Sequence, residues 1–155
     1  MTLLFVLLVI VPLALPAEGI ISVSNGGRWG SWGNMVSCPH GYQAFGFRLK
    51  VEHKQGRGDD TALNSIQLHC RLVSNYHDRI TIESSGGAWG SWTAYQSCGH
   101  SGYLSSFKLR VESPQGRGDD TAANNIMFRC SDDSVLTGNG MSWGSWGEWS
   151  SSLAS

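Results

Sequence analysis

Charge is what this 155-residue chain has least of: 15% of its residues are Asp, Glu, Lys or Arg, and the two signs nearly cancel to a net charge of −1. A nucleic-acid binder needs a basic stripe to meet phosphates, and a membrane-surface protein needs a polybasic cluster. Neither is present, so the sequence calls for no nucleic-acid partner. The cysteines number four and lack the close-set pairs of a zinc site. The histidines, His40, His53, His69, His77 and His100, form no ligand pattern, and the reading calls for no metal and no cofactor. Phosphate-loop, His-Glu-x-x-His and EF-hand patterns are missing, as is any Asn-x-Ser/Thr glycosylation acceptor. No segment carries the apolar periodicity of an amphipathic helix.

What the chain does have is Gly and Trp, in amounts that suit a turn-rich β protein better than a helical bundle. Its length is that of a single domain able to bury a core. Residues Leu3 to Leu15 are apolar except for Pro12. This run is too short to span a bilayer comfortably and has the length of a signal h-region. Leu15-Pro16-Ala17 places cleavage near Ala17, so the expected plan is a signal peptide over 1–17 and one domain over 18–155. Secretion agrees with an even set of cysteines, and the mature chain is expected to be extracellular with no membrane partner.

The chain repeats itself. Shifted by 60 residues, Gly26-Gly27-Arg28-Trp29-Gly30-Ser31-Trp32 falls on Gly86-Gly87-Ala88-Trp89-Gly90-Ser91-Trp92. Gln55-Gly56-Arg57-Gly58-Asp59-Asp60-Thr61-Ala62 falls without mismatch on the octapeptide from Gln115 to Ala122, and Cys38 and Cys70 fall on Cys98 and Cys130. One supersecondary unit is therefore used twice, over about 20–77 and 78–132. A partial copy over 133–155 repeats the tryptophan motif as Trp143-Gly144-Ser145-Trp146 and then stops.

Within a copy the strands alternate. Phe45, Phe47, Leu49 and Val51 interleave with polar or small residues, as do Phe107, Leu109 and Val111, and each set reads as the buried face of a strand. Ile66, Leu68 and Cys70, and Ile126, Phe128 and Cys130, read the same way. Residues 20–24, 79–83 and 134–137 read as opening strands, with Gly- and Asp-rich connections between. Four cysteines allow three pairings. The repeat selects Cys38–Cys70 and Cys98–Cys130, one staple per unit.

The recurrent Gly-Gly-x-Trp-Gly-x-Trp, the strand Phe-x-Leu-x-Val-Glu, the turn Gln-Gly-x-Gly-Asp-Asp-Thr-Ala and the tail Asn-x-Ile-x-x-x-Cys resemble the vitelline membrane outer layer protein 1 family, from about Ile20 to Trp149. The resemblance implies an all-β β-prism: three Greek-key sheets about a pseudo-threefold axis, here with the third sheet incomplete. It implies a secreted structural component of an extracellular layer such as the outer layer of the egg vitelline membrane, partnered by other layer proteins and by glycans. It also implies, as the alternative, a lysozyme-like transfer of N-acetylglucosamine oligosaccharides or lectin-like binding. A prism short of most of one sheet would expose apolar faces and open edges. Three outcomes follow: a truncated splice form, closure by self-association, or failure to fold stably.

Two residue sets are candidates for chemistry. Asp59, Asp60, Asp119 and Asp120 could supply the two carboxyl groups that glycosyl transfer needs on either side of the scissile bond. Gly-Asp-Asp-Thr also makes a tight turn, with Asp and Thr side chains bonding nearby backbone N–H groups, and this role is favoured. Trp29, Trp32, Trp89, Trp92, Trp143 and Trp146 could stack on sugar rings. Their threefold recurrence instead favours packing in the core, with the glycine permitting close approach. Arg57-Gly58-Asp59 and Arg117-Gly118-Asp119 spell an integrin-type tripeptide, which the shared Gly-Asp turn already accounts for.

Overall fold

The fold is seen in a computed structural model, which describes residues 21–26, 31–53, 62–113 and 123–152. The described residues hold strands and no helix: β1 (Tyr42–Val51), β2 (Leu63–Leu72), β3 (Asn75–Glu83), β4 (Ser91–Trp92), β5 (Gln96–Ser97), β6 (Leu104–Val111), β7 (Ala123–Cys130), β8 (Val135–Thr137) and β9 (Ser145–Trp146). They form two antiparallel sheets. One runs β3-β2-β1-β4, with β5 also paired to β1; the other runs β8-β7-β6-β9. In each, three hairpin-connected strands are followed by a fourth that returns beside the first, which is a Greek key.

The sheets are offset from the sequence repeats. The first copy supplies β1 and β2, but its sheet is finished by β3, which straddles the boundary between the copies, and by β4 and β5 from the second copy. The second copy likewise supplies β6 and β7, and the partial third copy finishes that sheet with β8 and β9. The two closures have the same register: Lys50 faces Trp92 and Val51 faces Ser91, as Arg110 faces Trp146 and Val111 faces Ser145. The short third copy is thus the closing edge of the second sheet.

Gly90 and Gly144 make this closure feasible. They sit at φ +97° and φ +77°, where L side chains are strained, and a Cβ at either would lie 2.6 Å or 2.3 Å from the carbonyl oxygen of Val51 or Val111. Beyond each glycine the chain is held by a backbone bond, Thr93 N–H to Leu49 O at 2.8 Å and Gly147 N–H to Leu109 O at 2.9 Å.

The core lies between the two sheets. Phe47, Leu49 and Val51 of β1 and Ile126 of β7 are buried, with Leu63, Ile66, Leu68, Phe107, Leu109 and Phe128 packed against them. The rings of Phe47 and Phe128 meet across the interface at 4.7 Å. Burying each of these side chains is worth about 1.5–3 kcal/mol. The disulfides Cys38–Cys70 and Cys98–Cys130 are both formed. Cys98 and Cys130 pack with Leu104 against Ala44 and Leu68 of the other sheet, so this bridge also belongs to the core.

Three sequence expectations are corrected. Phe45 does not share the face of Phe47, because the register slips between Ala44 and Gly46 and leaves Phe45 as the extra residue of a bulge. The bulge turns its ring to the outer face of the sheet. Ser105 occupies the corresponding bulge of the second sheet, where its hydroxyl donates to Arg129 O. Residues 21–24 form no strand. An isolated segment gains no ladder bonds, and the N-terminal segment is held instead by the Asn25 side-chain amide, which donates to Leu109 O at 3.0 Å. The described tryptophans, finally, lie outside the core. The register that pairs Trp92 with Lys50 and Trp146 with Arg110 places both rings on the outer faces.

Candidate functional site

On those outer faces the rings meet cations. The Arg48 guanidinium lies over Trp92 at 4.9 Å, while Arg48 Nε donates to Gln67 Oε1 at 2.7 Å. On the second sheet Lys108 Nζ stands 5.4 Å from the Trp146 ring and 5.0 Å from the Trp149 ring, with Arg110 over Trp146 and Arg129 over Trp149. Alternation along β6 explains the set: Phe107, Leu109 and Val111 point inward, which sends Lys108 and Arg110 outward. Each cation–π contact at such sites contributes about 0.5–1 kcal/mol. The first tryptophan of the second and third motifs is more open, Trp89 at 69% exposed and Trp143 at 52%, and so is Trp32, the second of the first motif, at 100%. Trp29 lies outside the described residues. The tryptophans therefore divide into half-buried rings under cations and open rings available to a ligand.

The extended β2–β3 hairpin builds a cavity of about 590 Å³, and the second sheet lacks so long a hairpin. Trp89 follows Cys70 by 19 positions, but Trp143 follows Cys130 by 13, so the second hairpin is cut to a turn before β8. That turn is locked by Asp132, whose Oδ1 accepts from the Ser134 N–H at 3.0 Å and its hydroxyl at 2.6 Å; these bonds hold the carboxyl below its usual range. Asp133 follows at φ 66°, a conformation Asp tolerates.

At the first hairpin the displaced Phe45 ring forms the floor of the cavity. Arg71 stands 4.6 Å above it and Arg79 5.2 Å above it. Arg71 is almost fully buried. It donates from Nη1 to His100 O at 2.6 Å and from Nη2 to Gly102 O, and it also lies 4.8 Å from the Tyr76 ring. Tyr95 closes one wall, edge-on to Phe45 at 6.2 Å and against His69 at 4.3 Å. Burial raises the Tyr95 hydroxyl pKa. Burial, aided by the charge of Arg48, lowers that of His69, whose Nε2 is buried without a hydrogen-bond partner.

A second concavity, about 260 Å³, is apolar and lies where the inner faces of the two sheets diverge. Val36, Ile66, Leu68, Ile82, Phe107 and Phe128 line it.

Asp59, Asp60, Asp119 and Asp120, and with them both Arg-Gly-Asp tripeptides, lie outside the described residues. Among the described residues no group of three His, Cys, Asp or Glu could hold a metal, and no helix is long and apolar enough to cross a membrane. Sequence reading missed the cavity of Arg71 and Arg79, because its floor depends on a bulge and its wall on an unrepeated hairpin. It also passed over Gly140-Met141-Ser142-Trp143-Gly144, which spells a nucleophile-elbow pattern. Those residues lead into β9 of an all-β chain, not into the strand-to-helix turn that the pattern requires, so they carry no nucleophile reading.

The family description "Vitelline membrane outer layer protein I" matches residues 19–154. The human vitelline membrane outer layer protein 1 homolog is 50% identical over 132 residues, covering 84% of this chain and 65% of the human one. The mouse homolog is 48% identical over 134 residues, covering 86% and 67%. The chain thus spans about two thirds of the length of these relatives. Among solved structures, Calystegia sepium agglutinin matches with a TM-score of 0.46 at 16% identity, over 85% of this chain and 83% of that chain.

Proposed function

The chain belongs to the vitelline membrane outer layer protein I family, and from that membership we propose that it is a secreted structural component of an extracellular layer such as the outer layer of the vitelline membrane. The observation that carries this reading is the family match over 19–154 in a chain whose four described cysteines are all paired. Paired cysteines suit an oxidising, extracellular setting. Two stapled Greek-key sheets sharing one core also make a stiff building block. The partners proposed are other layer proteins and glycans.

The apolar groove is the proposed contact for association, and the occupant proposed is a second copy of this chain. In the fold itself Phe47, Leu49 and Val51 already pack against the equivalent face bearing Phe107, Leu109 and Phe128. A second molecule presents the same apolar groove, so a twofold contact would cover both. Sedimentation of the purified chain tests this: a concentration-dependent dimer that dissociates in Ile82→Glu is expected, and a monomer at all concentrations refutes self-association. Co-purification from the native secretion tests the layer reading, which loses its support if the chain remains free of other layer components.

A second reading, lectin-like glycan binding, is favoured by the open rings of Trp89 and Trp143. N-acetylglucosamine oligosaccharide transfer would draw on Asp59, Asp60, Asp119 and Asp120, and turnover by the Asp59→Asn, Asp119→Asn double variant tests it. Turnover equal to that of the unaltered chain removes the catalytic reading.

A further inference from the structure

We propose that the cavity floored by Phe45 and walled by the β2–β3 hairpin binds a saccharide unit bearing a carboxylate or a sulfate. Arg71 and Arg79 are direct cross-strand partners, like charges facing each other on the same side of the sheet. Such pairing is destabilising on its own. Both guanidiniums hang over the one Phe45 ring. His77 and His100 also line the cavity, and no carboxylate does so among the described residues. The adjacent Asp78 is not among the lining residues, and its carboxylate acts on the Tyr42 hydroxyl, whose pKa it raises. A concave site with two guanidiniums and no internal counter-charge is matched by an anion from outside.

The walls specify more than charge. Arg71 is fixed from behind by two backbone carbonyls and by the Phe45 and Tyr76 rings, so its planar cation is held in place before any ligand arrives. Arg79 is exposed; its Nε donates to Tyr76 O at 3.1 Å and its guanidinium lies over the Phe45 ring. A guanidinium fork suits carboxylate and sulfate oxygens. Tyr76 and Tyr95 line the cavity together with the polar residues Asn75 and Ser97. That mixture suits a sugar, which offers C–H faces and hydroxyls together. The volume, about 590 Å³, falls within the usual range of about 300–1,000 Å³ for small-ligand sites.

The repeats supply an internal control. The second sheet has Ser105 and Ser131 in place of Phe45 and Arg71, and its shortened hairpin leaves no wall. The scaffold recurs while Phe45 and Arg71 do not, so these groups are not required by the sheet architecture. This inference does not rest on the layer reading and survives its failure.

Calorimetric titration of the purified chain with 3′-sialyllactose, galactose 6-sulfate and neutral lactose tests it. Saturable binding of one or both anions with no binding of lactose is expected, and the stronger of the two identifies carboxylate or sulfate as the recognised group. Arg79→Gln should weaken that binding at least tenfold while leaving the melting temperature within a few degrees, and Arg110→Gln on the second sheet should leave it unchanged. Lactose binding as tightly as the anions, affinity indifferent to Arg79→Gln, or no saturable binding by either anion would overturn the proposal.

Discussion

Gly144→Ala should unfasten the second sheet. The glycine lies at φ +77°, and an added Cβ would stand 2.3 Å from Val111 O and 2.4 Å from Val111 C. The left-handed conformation alone costs a non-glycine residue about 1–2 kcal/mol. The contact is with backbone, not with the flexible end of a side chain, so relief requires β9 to move off β6. That movement weakens the pairs Arg110–Trp146 and Val111–Ser145 and the bond from Gly147 N–H to Leu109 O. Each net backbone bond lost adds about 0.5–1.5 kcal/mol. The total is about 2–4 kcal/mol, or a fall in melting temperature of about 6–14 °C for a chain of this size. Gly26→Ala is the matched control, because a Cβ there meets nothing within 4 Å. Thermal unfolding followed by circular dichroism should separate the two variants. If Gly144→Ala melted with Gly26→Ala and the unaltered chain, the argument that this glycine permits sheet closure would be wrong.

Reduction of each disulfide should cost about 3–4 kcal/mol in the chain-entropy model, since each closes a loop with a sequence separation of 32. The Cys98–Cys130 pair should cost more when replaced by serine, because it packs across the sheet interface, and chemical denaturation of the two double variants checks the order. His69 should make stability acid-sensitive. Its folded pKa lies below the ordinary value of 6.5, so the neutral ring is favoured by folding; its contribution is fully present above that value and is lost as pH falls through the folded pKa. Urea midpoints taken from pH 7.5 downward should decline in the unaltered chain, and the part due to this imidazole should vanish in His69→Phe. An identical slope in both would refute the assignment.

The strands were legible because alternation is local. Leu49 and Val51, or Leu109 and Val111, declare their buried face without reference to any partner. The disulfides were legible because the repeat places both pairs at the same separation. The tryptophans were misread because recurrence reports reuse of a structural part and does not say which way its side chains point. Only the register of Trp92 on Lys50 and of Trp146 on Arg110 decides that, and register is a property of two strands. Phe45 was misplaced for a related reason: one extra residue in the β1–β2 pairing reverses the face of a ring that the period-two pattern assigns to the core. The cavity of Arg71 and Arg79 follows from that bulge and was invisible for the same cause. The ownership of β8 and β9 was also hidden, because a sequence repeat has no marked beginning and the folded unit starts partway through it.

The central claim is that the brief third copy of the tryptophan motif closes the second sheet as the second copy closes the first. Hydrogen exchange read by mass spectrometry tests it most directly. The account predicts that the amides of Thr93 and Gly147, bonded to Leu49 O and Leu109 O, are both strongly protected, and to a similar degree. Rapid exchange across residues 143–150, beside slow exchange across 91–97, would contradict it.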